Sequence, residues 1–409
     1  MTYHGTVLLL SGWQADENHI LRQYRAILDR YASPSPLLFI PSLAKPHLRS
    51  LESHYPSGTL WTLHRAKIER LSGSPTLSIQ ILSTALSNPS PHPHRFIQAD
   101  TLLLFDLSWT LLSTRAFIQA GETFLKIMSI NSWSRATYLY VAAGCFYSAG
   151  DLVKARELVE EIEKGGWVGR NARKVGGREV GTEVVVRKKC GSLSLFFFIF
   201  LRLSFLVEYY QSRHRQSGSS ASSWISTVKI SFVDEMGICT SPSPFFSPIL
   251  TPHPVWNLHT RLTPPIASAY ISQWESLSSS SQMHPDEVAL QNLLLGITYR
   301  SLSQYESSKK ALLHSQSLSS QLVVSGWIPG WAGVEYAVTL LHQASASASS
   351  GDTSEADWER VLKEVEAVLD HAMEVSPRQV EMSSRLGGRV GMVRGEIEKW
   401  RSMRGGGIN

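Results

Sequence analysis

Cysteine is scarce in this chain. Three occur in 409 residues, Cys145, Cys190 and Cys239, and they lie far apart. An odd and scattered set excludes a disulfide framework and any cysteine-rich zinc module, and it fits a reducing compartment. Charge is scarce too. Charged residues make up 18%, below the roughly 25% of an average soluble domain, so the chain is able to bury a sizeable core. The balance of 39 Lys+Arg against 34 Asp+Glu leaves a formal charge of +5. Spread over this length, that is no footprint for nucleic acid. The apolar run within Met1 to Leu10 has no basic residue before it, so a secretory signal is not expected.

Catalytic signatures are missing as well. Neither a Gly-x-Ser-x-Gly elbow nor a His-Glu-x-x-His pair is present, and no carboxylate pair stands in a recognisable setting. Gly387-Gly388-Arg389-Val390-Gly391 has glycines but no Lys-Ser/Thr after them, so it is not a phosphate loop. His92 and His94 flank Pro93, and no third ligand follows at metal-binding spacing. His284-Pro285-Asp286 matches the tripeptide of J-domain cochaperones. A Ser-rich stretch precedes it where that family needs a basic helix. A helix start, with Pro in the first turn and Asp at the positive helix end, is the expected role. No catalytic, cofactor-binding or metal-binding residue is therefore expected, no cofactor, and no enzyme activity.

What the chain does have is a recurring design: an apolar helix, a tight turn, and a second helix with small residues on one side. Leu139, Ala142, Ala143, Phe146 and Tyr147 lie on one helix. Gly150-Asp151 form the turn, and Leu152, Ala155, Val159 and Ile162 recur at helical spacing. Ala143 and Ala155 fall where two helices cross closely, which is the logic of a tetratricopeptide unit. Ala66, Gly73, Ser78, Leu82 and Ala85 occupy matching places earlier, closed by Pro89. Leu104, Leu107, Ser108, Leu111, Ala120 and Phe124 do so between them. The turn positions Gly73, Arg115 and Gly150 are 42 and 35 residues apart (115 − 73; 150 − 115). The period of such units is about 34, so a loop from Asn88 to His94 is expected in the first gap. A fourth unit contains Leu295-Gly296, Tyr299, Tyr305, Ser308 and Leu312, with a turn at Ser301 to Gln304. A fifth pairs a helix from Trp331 to His342 with a stripe of Trp358, Val361, Leu362, Val365, Leu369 and Ala372, and Ser354 with Asp357 resembles a capping box. Two further helices are expected at Tyr3 to Trp13 and Ile20 to Tyr31. The predicted class is all-α, a helical-hairpin solenoid with an irregular central insert.

The insert breaks the pattern from Gly165 to about Pro254. It carries a Gly-rich basic loop, an apolar run from Leu193 to Val207, and Ser-rich and Pro-rich stretches. The apolar run is shorter than the roughly 20 residues of a membrane helix, and Arg202 lies inside it. Three readings stay open: a membrane helix, a buried helix of the solenoid, and translated intron sequence from Cys190 to about Gly237. The expected divisions are 1–164 for N-terminal repeats, 165–254 for the insert, 255–375 for C-terminal repeats and 376–409 for a terminal helix and tail.

In such a solenoid the first helix of each pair lines the concave face. The inward positions are then Lys67 and Arg70, Phe105 and Trp109, and Tyr140 and Tyr147. Aromatic and cationic groups together suit a peptide with apolar anchors and an acidic group. The competing reading makes Phe105 and Trp109 inter-repeat core and Lys67 and Arg70 a solvated face.

Several blocks resemble one family. They are Tyr55-Pro56-Ser57-Gly58, Leu103 to Trp109, and Asn131-Ser132-Trp133-Ser134 followed by Ala136-Thr137-Tyr138, Tyr140 and Ala142-Ala143. Val185-Val186-Arg187-Lys188, Trp256-Asn257 with Arg261, and Gly330 to Leu341 with Tyr336 add to the likeness. Together they resemble the tetratricopeptide repeat family of the fungal inclusion body clearance proteins, whose animal branch is the tetratricopeptide repeat protein 39 group. The likeness covers most of 1–189 and 255–375. Residues 190–254 have no clear counterpart, and the chain is expected to begin partway into the family's usual length. The resemblance implies a non-enzymatic, protein-binding adaptor. It would act in clearance of inclusions after folding stress, linked to lipid-droplet proteins, in the cytoplasm and nucleus. The alternative it leaves is a scaffold at the mitochondrial outer membrane.

Overall fold

The computed structural model describes residues 41–54, 58–87, 97–130, 135–165, 174–175, 178–179, 229–231, 233–234, 262–280, 283–323, 325–349, 355–376 and 383–405. The expected helices at Tyr3 to Trp13 and Ile20 to Tyr31, the Asn88 to His94 loop, the apolar run Leu193 to Val207 and Ser354 all lie outside the described residues.

Helices follow in the order the periodicity dictates. They are α1 (Pro41–His54), α2 (Thr59–Leu71), α3 (Pro75–Ser87), α4 (Ile97–Ser113), α5 (Phe117–Ile130), α6 (Arg135–Ser148) and α7 (Leu152–Lys164). A ladder of β1 (Lys174–Val175) and β2 (Arg178–Glu179) pairs antiparallel inside the insert. The second set is α8 (Pro264–Ser280), α9 (Pro285–Ser301), α10 (Tyr305–Ser317), a single 3-10 turn at Ser319–Gln321, α11 (Ile328–Ser349), α12 (Glu355–Glu374) and α13 (Ser383–Gly405). The fold is an all-α helical-repeat solenoid, with α2/α3, α4/α5, α6/α7, α9/α10 and α11/α12 as hairpins.

Four hairpin turns use one device. Gly73, Arg115, Gly150 and Ser303 all have φ between 59° and 87°. Each donates its N–H three residues back, to Arg70, Leu112, Tyr147 and Arg300 at 2.9–3.1 Å. The next residue donates five back, to Glu69, Leu111, Phe146 and Tyr299. This is the Schellman closure, which satisfies the last helical carbonyls and reverses the chain. Glycine reaches the left-handed region without penalty. Arg115 and Ser303 adopt it at a cost of about 1–2 kcal/mol each.

The predicted crossing points are tight. Ala143 and Ala155 are fully buried. In the fourth unit a Cβ added at Gly296 would stand 2.5 Å from Leu312 Cγ. Ser308, also fully buried, donates its hydroxyl to the Gly296 carbonyl at 2.7 Å. Small residues here let two backbones meet at a distance no larger side chain permits.

The first helices of the pairs are wrapped on both sides. In α6 every residue from Ala136 to Phe146 is buried, and in α4 twelve of seventeen are. Second helices such as α7 keep a clear polar face, with Ala155, Leu158, Val159 and Ile162 inward and Lys154, Glu157 and Glu161 outward. The terminal α13 is one continuous helix through Gly387, Gly388 and Gly391. It docks by Leu386, Val390, Val393 and Ile397 and by ion pairs from Arg394 to Asp370 and from Arg401 to Glu359 and Glu366.

Among the described residues no helix is long and apolar enough to cross a membrane.

Candidate functional site

The structure separates the six predicted concave-face residues into two groups. Lys67 on α2, Phe105 on α4 and Tyr147 on α6 are half-buried and reach the surface. Arg70, Trp109 and Tyr140 do not. This corrects their placement on an accessible face. Trp109 is 1% exposed and Tyr140 0%. The Trp109 ring meets Phe105 and Phe124 edge-on, at centroid distances of 6.1 and 5.1 Å. The reason is geometric. A first helix has neighbours ahead and behind as well as its own partner, so a stripe three or four residues apart turns into inter-repeat contact rather than groove lining.

Arg70 lies in a polar clamp. Its Nη1 donates to Asp106 Oδ2 at 2.7 Å and to Thr110 Oγ1 at 3.3 Å. Thr110 in turn donates to the Asp106 carbonyl at 2.7 Å. Both charged side chains are almost wholly enclosed. The same arrangement recurs in the second set. Arg300 Nη2 meets Glu335 Oε2 at 2.5 Å, its Nη1 donates to the Glu335 carbonyl at 2.9 Å and to Thr339 Oγ1 at 3.4 Å, and Thr339 donates to that carbonyl at 2.8 Å. Arg70 and Arg300 both stand three residues before their left-handed turn residue. Both reach forward to the first helix of the next hairpin. Arg389 of α13 approaches Glu335 at 3.6 Å. Sequence reasoning missed these clamps, although a signal was available. Asp106 stands alone in a helix otherwise nearly free of charge, and a buried carboxylate calls for a cationic partner.

The His284-Pro285-Asp286 tripeptide has the local role expected of it. The His284 side chain accepts from the Asp286 N–H at 3.3 Å as the cap of α9, and Pro285 opens the helix. Asp286 is 3% exposed, and its two oxygens accept from the Val323 and Ser325 N–H groups at 3.0 and 2.6 Å. The motif ties down the strap between α10 and α11.

A second polar cluster lies where the two sets of hairpins meet, and sequence reasoning missed it entirely. Arg115, on the turn between α4 and α5, donates to Gln273 Oε1 on α8 at 2.9 Å, and its guanidinium lies 4.6 Å from the Tyr270 ring centroid. Residues 229–231, 233 and 234 lie beside it. Ser231 donates to the Gly144 carbonyl of α6 at 3.1 Å and bonds Ser148 at 2.7 Å. Asp234 accepts from Trp274 Nε1 at 3.2 Å. Ile230, Ser231, Val233 and Asp234 are all buried. The only cue in the sequence was Arg115 itself, a non-glycine at a position that repeats Gly73 and Gly150.

Among the described residues no group of three or more His, Cys, Asp or Glu side chains is arranged to hold a metal ion. His92 and His94 lie outside the described residues.

Residues 24–193 match the family model described as Iml2/Tetratricopeptide repeat protein 39. The inclusion body clearance protein IML2 of Schizosaccharomyces pombe is 29% identical over 147 residues, which are 36% of this chain and 25% of that protein. The inclusion body clearance protein iml2 of Aspergillus niger is 22% identical over 380 residues, covering 87% of this chain and 49% of the relative. The Aspergillus fumigatus protein of the same name is 23% identical over 388 residues, with 87% and 48% covered. The chain thus spans a quarter to a half of the length of these curated relatives. No solved structure matches it. The hairpins α2 to α7 fall inside the matched span, so over residues 24–193 the chain is similar to the Iml2/Tetratricopeptide repeat protein 39 family.

Proposed function

We propose that this chain is a non-enzymatic helical-repeat adaptor acting in clearance of misfolded-protein inclusions. The observation that carries the reading is the stack of hairpins registered by buried clamps, together with similarity to proteins named for inclusion body clearance. A solenoid of this kind offers a long surface to another protein. Lys67, Phe105 and Tyr147, the half-buried members of the predicted set, are the residues we assign to partner contact, with one cation and two aromatic edges across three successive first helices. The partners we assign are lipid-droplet-associated proteins, and the place of action is the cytoplasm and nucleus after folding stress.

The test uses fungal cells that lack their own relative and carry a fluorescent inclusion reporter. After heat stress, supplying the chain restores reporter clearance. Lys67→Glu with Phe105→Ala slows it severalfold while the purified protein keeps its helical circular dichroism. Clearance that proceeds equally with the variant refutes the surface. Clearance indifferent to the chain itself refutes the role. Recovery of lipid-droplet proteins with the wild-type chain, weakened by the same pair of substitutions, is the expected partner result.

A further inference from the structure

The cluster between the two sets of hairpins is built from four separate stretches of chain, and its centre is a buried carboxyl group whose charged partner among the described residues, Arg115, is shared with Gln273 and Tyr270. We propose that Asp234, with Arg115 and Trp274, forms a pH-operated joint in the solenoid, closed while Asp234 is protonated and opened when it ionises. The inference does not depend on what the solenoid binds.

Three observations carry it. The first is position. Segment 229–234 touches α6 through Ser231 and α8 through Asp234, while Arg115 crosses from the α4–α5 turn to α8. Movement of this segment therefore changes how one set of hairpins sits on the other. The second is what surrounds the carboxyl. Asp234 is 2% exposed. The α8 side offers one neutral donor, Trp274 Nε1, together with the Tyr270 ring. Helix α6 presents the Cys145 thiol and the Tyr147 hydroxyl, and Glu287 of α9 faces Tyr147 next to them. Among the described residues Arg115 is the cation that acts on it, and that guanidinium is already engaged with Gln273 and the Tyr270 ring. Burial therefore dominates over the Trp274 bond and the Arg115 charge, and pushes the Asp234 carboxyl up to about 7. The third is backbone. Arg115 occupies a left-handed turn position at φ 61° where the neighbouring repeats have Gly73 and Gly150. Its side chain holds the joint at the expense of a strained turn.

The sign follows from linkage. A carboxyl raised in the closed state favours closure in its neutral form. That advantage is complete below the ordinary carboxyl range, shrinks as pH rises, and is exhausted above about 7. If the open joint restores an ordinary carboxyl, the open fraction grows about tenfold between pH 6 and pH 8 and levels above pH 7.

Hydrogen exchange read by mass spectrometry tests this on the whole chain, as protection factors corrected for intrinsic exchange. Peptides covering 229–234 and the end of α6 lose protection about tenfold from pH 6 to pH 8, while those from α10 stay level. Asp234→Asn, which cannot ionise, abolishes the fall. Arg115→Gln removes the favourable charge, so the fall continues through pH 8 instead of levelling. Protection at the joint that is independent of pH in the wild type overturns the proposal, whether or not Asp234→Asn folds. So does an equal fall in folded Asp234→Asn, or an Arg115→Gln profile that levels where the wild type does.

Discussion

Removing Asp106 leaves Arg70 enclosed with its main partner gone, and this is the most decisive perturbation of the array. The pair is 2.7 Å apart, with 4% and 8% of the two side chains exposed. Water cannot replace the lost carboxylate without opening the interface between α2 and α4. Breaking a buried pair by deleting one partner costs about 3–5 kcal/mol, chiefly as the penalty of an uncompensated charge. Asp106→Ala is expected in that range. Asp106→Asn keeps an acceptor at the same place and is expected to cost about 2 kcal/mol. The double variant Arg70→Met with Asp106→Leu removes both charges and fills the space, and is expected to cost less than Asp106→Ala alone. The assay is urea unfolding followed by far-UV circular dichroism and by tryptophan fluorescence. The reasoning fails if Asp106→Ala shifts stability by under about 1 kcal/mol, or if the two single costs simply add. The same logic rules out Arg70→Glu as a probe of a binding surface. It would set two enclosed carboxylates against each other and unfold the first interface, whatever the protein binds.

Further outcomes follow from the hairpin geometry and one half-buried imidazole. Gly296→Ala forces a methyl group against Leu312 and is expected to cost about 1–3 kcal/mol by thermal or urea unfolding; a neutral result would mean the crossing is looser than described. Ser303 is exposed and left-handed, so Ser303→Gly is expected to stabilise by about 0.5–1 kcal/mol, while Gly150→Ala, with open space around it but φ 87°, is expected to destabilise by about 1 kcal/mol. A shift of the same sign in both would refute the turn assignment. Burial, with the Arg300 and Arg389 charges, holds His342 down to about 4. A depressed histidine contributes stability that is present above its ordinary value and lost as pH falls from about 6.5 towards 4. His342→Gln is therefore expected to flatten the acid arm of the stability profile by about 2 kcal/mol, allowing for partial exposure. An unchanged acid arm in that variant sinks the assignment.

Much of the fold was legible in the sequence because the hairpin signals are local. Gly73, Arg115, Gly150 and the Ser301 to Gln304 turn announce chain reversal through turn chemistry, and Ala143 with Ala155 announces a close crossing. All four turns stand where they are expected, and both alanines are fully buried. The candidate surface was less legible, since it depends on what covers each helix. Periodicity identifies a face but does not say how many neighbours that face has. Periodicity leaves Trp109 between groove lining and inter-repeat core and places Tyr140 on the inward face; in the stacked array both are buried. The joint was invisible for a related reason. Segment 229–234 has no repeat pattern of its own and lies inside a stretch whose composition breaks from the solenoid. Ile230 and Val233 nevertheless pack into the common core, with Ser231 and Asp234 bonded on both sides.

The two clamps explain how a chain of similar hairpins keeps its order. Each hairpin offers its neighbour the same kind of apolar stripe, so hydrophobic contact alone permits several stacking orders, the characteristic hazard of repeat chains. A buried pair contributes little net stability but penalises every register that separates its members. In this chain the penalty is placed once in each set of hairpins. The residue three before the turn is Arg70 in the first unit and Arg300 in the fourth. At the corresponding places the second unit has Leu112 and the third has Tyr147. Among the described residues, the hairpins that follow an arginine are the ones that carry the acid and threonine one helical turn apart, as Asp106 with Thr110 and Glu335 with Thr339. Stacking α4 behind α6, which has Tyr147 at the place of the arginine, would strand Asp106 among apolar side chains, and stacking α11 behind α4 or α6 would strand Glu335. The clamps thus require each acid-bearing hairpin to follow an arginine-bearing one, while Leu112 and Tyr147 leave the middle of the array to apolar packing and to the titratable joint beside it.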